Sequence, residues 1–129
     1  MAAGNISTLL LVSALACICA PVIAHHSDAD FVRDEHYSLD GIITAVQWSN
    51  PHILLTVSND EHDMRVEWVT TAGAERTGVT RERLVPGNRI IVTGSRHRNP
   101  EVRTMGLIKE LAMPAQDWRW ISPSLKRTR

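Results

Sequence analysis

Between Tyr37 and Met113 the chain carries five short β-forming runs cut apart by polar turns, with one helical signature between the third and fourth. That succession restricts the fold more than any other feature. The first run, Tyr37 to Trp48, holds Ile42, Ile43, Val46 and Trp48, with Gly41 marking a bulge or a close backbone approach. Ser49-Asn50-Pro51 breaks it, and a second run follows from His52 to Ser58. After the polar loop Asn59 to Asp63, the segment Met64 to Thr70 alternates: Met64, Val66 and Trp68 on one face, Arg65, Glu67 and Val69 on the other. This period of two belongs to a half-buried antiparallel strand, with Glu67 and Arg65 as a solvated pair.

Gly73 and Gly78 interrupt regular structure, and Thr80 to Leu84 is expected to form one helical turn capped by Thr80. Pro86-Gly87 launches a fourth strand, Arg89 to Ser95, and a fifth runs from Thr104 to Met113. Five short strands with a single turn in that position predict an all-β fold, a small five-stranded OB-like barrel, whose closure removes exposed sheet edges.

The ends of the chain read differently. Residues 9 to 16 are an uninterrupted apolar stretch except for Ser13, and Val22-Ile23-Ala24 has the small-residue pattern of a signal-peptidase site. We expect residues 1–24 to form a cleavable signal helix, 25–36 an N-terminal arm, 37–113 the barrel and 114–129 a C-terminal tail, the product being periplasmic or secreted. Cys17 offers an alternative, as a lipid-attachment cysteine. Removing 24 of 129 residues leaves 105, enough for one domain, and takes away both cysteines, Cys17 and Cys19. The remaining domain has no thiol, so packing alone must stabilise it in an oxidising compartment. All 14 basic and all 14 acidic residues lie beyond position 24. A formally neutral domain lacks the electrostatic footprint of a general nucleic-acid binder.

Cleavage after Ala24 would expose His25 as the first residue, followed by His26. An α-amino group beside an imidazole chelates metal, and a third nitrogen from His52 or His26 would give the T-shaped set that suits Cu(II). Pro51 positions His52 at a strand end, where a barrel mouth would lie. His36 is a weaker candidate, and Asp28 or Asp30 offers oxygen. Against this, His25-His26 also reads as a polar leader that frays, and Asn50-Pro51-His52 as a turn in which Asn50 bonds its own backbone. His62 and His97 sit in polar loops and read as solvated.

Trp48 and Trp68 are expected in the core, or else on the barrel face as platforms for a ligand ring. Trp118 and Trp120 flank Arg119 in a tail ending Lys126-Arg127-Thr128-Arg129, read as a surface segment folded over one barrel end or set against a membrane or partner. No catalytic triad, carboxylate pair or phosphate loop is present, so binding is favoured over catalysis. The leading expectation is an exported binding protein with copper on its terminal histidine. The alternative is a metal-free interaction module taking a glycan, peptide or partner protein on its barrel face, with Trp48 and Trp68 in contact.

Ala24-His25-His26-Ser27 after a signal segment, Gln47-Trp48-Ser49-Asn50-Pro51-His52, Val66-Glu67-Trp68 and Leu84-Val85-Pro86-Gly87-Asn88 together resemble the DUF6152 group, small secreted bacterial proteins known as a domain of unknown function. The resemblance covers most of residues 24 to 112 and implies an exported β-barrel with no established activity. Members carry glutamate where this chain has Thr71, and a longer segment with a Gly-Trp pair where this chain has Gly78-Val79.

Overall fold

A computed structural model describes residues 28–126; the expected signal helix and both histidines of the predicted new terminus lie outside the described residues. The five anticipated strands form as β1 (Tyr37–Gln47), β2 (Leu54–Ser58), β3 (Asp63–Glu67), β4 (Arg89–Arg96) and β5 (Thr104–Met113). They lie in the order β3-β2-β1-β4-β5, and β3 meets β5 in parallel through Arg65↔Thr104 and Val66↔Met105, which closes an OB-like barrel. The expected fold class holds.

One long strand makes the closure possible. The first half of β1 pairs with β4 and its second half with β2, changing partner near Ile42. Gly41 sits at that change. A Cβ there would lie 2.5 Å from the Ser58 carbonyl oxygen and 2.9 Å from Val57 Cγ1, so glycine lets the strands approach. Inside, Leu39, Ile43, Leu55, Val57, Val66, Ile90, Val92, Met105 and Leu111 are fully buried. Met64, Val66 and Trp68 point into this core, as their alternation predicts.

Two elements depart from the sequence expectation. The α-helix, α1 (Thr71–Arg76), forms in the stretch read as glycine-broken. Thr70 caps it by accepting the Gly73 N–H at 3.0 Å, and buried Ala74 packs against the core. The Thr80 region makes only a 3-10 turn, Arg81–Arg83, without a side-chain cap. Second, the tail contributes a sixth strand, β6 (Trp118–Ile121), antiparallel on β5, followed by a short helix, α2 (Pro123–Lys126). Trp120 is buried, meets Trp68 edge to face at 5.0 Å, and donates its indole N–H to Thr77 Oγ1 at 3.0 Å. Trp118 is half-buried beneath Arg83, and Arg119 turns outward to Glu110, 2.6 Å away. Trp-Arg-Trp is thus strand alternation, which corrects the surface-segment reading of these tryptophans.

The arm is clamped to the barrel. Phe31 is buried, bridges to His97, and lies flat on β5 because Gly106 leaves room: a Cβ there would be 2.5 Å from Phe31 Cζ. Val32 N–H donates to the Arg96 carbonyl at 3.0 Å, Arg98 N–H to that of Asp30 at 2.8 Å, and Lys109 Nζ to that of Glu35 at 2.6 Å.

Candidate functional site

The barrel's closing seam is short. After two rungs with β3, strand β5 bulges: Ser95 faces Gly106, yet Thr93 faces Glu110, so β5 spends extra residues between them. Leu107 in that bulge adopts φ 48°, a left-handed conformation uncommon for leucine. From Leu107 to Lys109 the ladder to β3 is absent. A cleft of about 590 Å3 opens there, walled by His52, Glu67 and Trp68 on one side, the β5 bulge with Lys109 on another, and Asp28 with Phe31 of the arm on a third.

His52 reaches this cleft because its neighbours are fixed. Ile53 N–H donates to the Val69 carbonyl and Trp68 N–H to the Ile53 carbonyl, both at 2.9 Å, extending the β2–β3 contact past the strand ends. Asn50 does not bond its own backbone. Its Oδ1 accepts the N–H and the hydroxyl of Thr71, each at 3.1 Å, tying the turn to the start of α1. Thr71 is the position where the resemblance expects glutamate. His52 itself is half-buried, and no hydrogen bond ties its imidazole to the described residues. The Trp68 indole N–H is buried without a partner among the described residues.

Glu67 is where the alternation misleads. It is 7% exposed, not solvated, with Arg65 Nε 3.8 Å from its carboxylate. Arg65 lies where β3 is paired and open to solvent, whereas Glu67 lies beyond the last β5 rung, where the cleft walls shield it. Nothing in the local sequence distinguishes the two positions.

The other expected residues are spread apart. Trp68 is a core residue with one edge on the cleft, and Trp48 is half-buried against the core and does not line it. His36 is exposed. His62 and His97 are not loose solvated groups: the His62 side chain is 19% exposed, and the His97 ring meets Phe31 edge to face at 5.9 Å. Both line a second cleft on the far side of the arm. Among the described residues, no three His, Cys, Asp or Glu side chains are grouped to hold a metal ion. His25 and His26 lie outside the described residues, which begin at Asp28.

Comparison with known proteins is informative at the level of family. Among solved structures, the chain is similar to a chain of the S. pombe Stn1–Ten1 complex, at 21% identity and a TM-score of 0.44, covering 63% of this chain and 61% of that one. No curated protein matches. A family described as a family of unknown function, DUF6152, matches over residues 13–107, a span taking in the arm, β1 to β4 and the start of β5. The chain belongs to the DUF6152 family.

Proposed function

We propose that this small barrel is an exported, periplasmic or secreted binding module that holds copper at the mouth of the seam cleft, using the α-amino group and imidazole of a terminal His25 with the imidazole of His52. One observation carries the reading: Asp28 and His52 line the same cleft, and His25 is only three residues before Asp28. Three residues of extended chain reach roughly 10 Å. The His52 imidazole has no competing hydrogen bond among the described residues. Glu67 brings a buried carboxyl group to the same walls, and nitrogen-rich tetragonal sets favour Cu(II). His26 is the alternative third nitrogen.

N-terminal sequencing of the exported protein followed by Cu(II) titration tests this. We expect a chain beginning at His25, one equivalent of copper bound, loss of binding when one Ala is inserted before His25, and weakening in His52→Ala. A chain beginning elsewhere, or an insertion without effect, overturns it.

The volume of the cleft favours a second, metal-free reading. At about 590 Å3 it far exceeds an ion and falls among sites for small organic ligands, on the order of 300–1,000 Å3. A glycan, a peptide or a side chain of a partner protein would then occupy it, His25→Ala would be silent, and Lys109→Ala would weaken binding.

A further inference from the structure

The second cleft, about 380 Å3, lies across the arm from the first, and its walls combine guanidinium groups with exposed apolar surface. Arg96, Arg98 and Arg103 line it, against a single acid, Glu35. That acid is consumed. Its carboxylate accepts the Arg96 backbone N–H at 2.6 Å, Nε–H at 3.0 Å and Nη2–H at 2.6 Å, while the Arg96 guanidinium lies 4.5 Å over the Tyr37 ring. Arg96 and Glu35 therefore cancel.

Arg98 and Arg103 do not cancel. Arg98 donates Nε–H to the Ala29 carbonyl at 2.7 Å, which anchors the group without neutralising it. No ion pair or hydrogen bond engages the Arg103 guanidinium among the described residues. His97 stands beside them, with the Asn99 N–H 3.0 Å from its Nδ1. Beside these groups, Val32 and Val102 are each 38% exposed, two of the few large apolar side chains left open to water among the described residues.

Planar guanidinium groups match oxyanions in a two-pronged geometry. Uncompensated charge next to exposed apolar surface suits a ligand with both characters. We propose that this cleft binds a small organic anion, its carboxylate or phosphate head held by Arg98 and Arg103 and its apolar body seated on Val32, Val102 and Tyr37. This site is independent of copper in the first cleft.

The test is titration of the isotopically labelled full chain by NMR with two probes, 3-phenylpropanoate and phenyl phosphate, the tighter of which identifies the head group. Controls carry the body alone (3-phenylpropan-1-ol) or the head alone (inorganic phosphate). We expect saturable shifts at the amides of 96–98 and 102–104, and binding by both controls at least tenfold weaker. Arg98→Ala and Arg103→Ala should each weaken the tighter probe about tenfold, or about 1.4 kcal/mol. Both side chains are exposed, so the variants should fold, and unchanged spectra elsewhere will verify it. Val102→Asp should abolish binding by replacing the apolar seat of the ligand's body with a carboxylate of the same sign as its head. Shifts confined to the first cleft, an alcohol that binds as tightly as the acid, or affinity indifferent to both arginine substitutions would overturn the assignment.

Discussion

Two clefts take a wall from one arm, which the Phe31 ring anchors on the backbone of Gly106, and they are built in opposite ways. The first occupies a gap in the barrel's own hydrogen bonding, where β3 ends and β5 bulges, and it encloses buried Glu67 and Trp68 beside the half-buried imidazole of His52. The second lies outside the ladder, between the arm and the β4–β5 loop, and its arginines are long and exposed. A break in the sheet shelters a carboxylate that the outer face of a strand would ordinarily expose. A loop clamped by an arm gathers charge while leaving it in water. The described part of the arm, residues 28–36, supplies a wall to each.

The comparison is broken most severely at the shared contact. Phe31→Ala should cost about 3–5 kcal/mol, as for truncation of a buried aromatic, and should lower ligand affinity in both clefts at once. Gly106→Ala should cost about 1–3 kcal/mol, because a new Cβ 2.5 Å from the ring expels the arm. The two effects share a cause, so the double variant should be less destabilised than the sum of the singles, by denaturant titration. Additive losses would mean that Phe31 does not rest on Gly106.

A substitution confined to one side sharpens the contrast. Asn50→Ala removes the acceptor shared by the Thr71 N–H and hydroxyl at the start of α1, next to His52. We expect about 0.5–2 kcal/mol of destabilisation, in the range of a lost helix cap. Copper affinity should fall as His52 loses its fixed setting, while anion binding by Arg98 and Arg103 stays unchanged. Isothermal titration of both ligands on the one variant decides the matter, and equal losses on the two sides would deny their separation.

The barrel was legible because its information is local. Met64-Arg65-Val66 alternates, Pro86-Gly87 turns, and Gly41 announces a close approach whose partner turns out to be the Ser58 carbonyl. The helix α1 was missed because Gly73 reads as a breaker, although its N–H is the one that Thr70 caps; a threonine three residues ahead of that glycine was the available signal. The Trp118–Ile121 strand hid in a tail judged by its basic end, when the alternation of Trp118, Arg119 and Trp120 was already visible. Glu67, Lys109 and the Phe31–Gly106 contact were beyond sequence reasoning for a different reason. Their burial is decided by segments far away in the chain, and a polar run holding Phe31 carries no mark of the β5 glycine it meets.

The smallest effect isolates the arginine side. Hydrogen bonds from Arg96 are the main reason the Glu35 carboxyl is held below its ordinary value of 4.5, with the charges of Arg96 and Lys109 acting in the same direction. Because the folded value is depressed, the pair's stabilisation is complete above pH 4.5 and is lost as the pH falls through the folded value. Arg96 is half exposed, which screens the pair and keeps its worth to about 1 kcal/mol or less. Glu35→Gln should therefore be less stable than the parent near neutrality, and the gap should shrink as acid protonates Glu35 in the parent. The carboxylate at Asp40 titrates identically in both proteins and drops out of the difference. Releasing Arg96 from its partner should also add a third uncompensated guanidinium to the second cleft, so anion affinity should rise in the variant that is less stable, with copper binding untouched. A stability difference independent of pH would show that Glu35 does not act through the charge of its carboxylate.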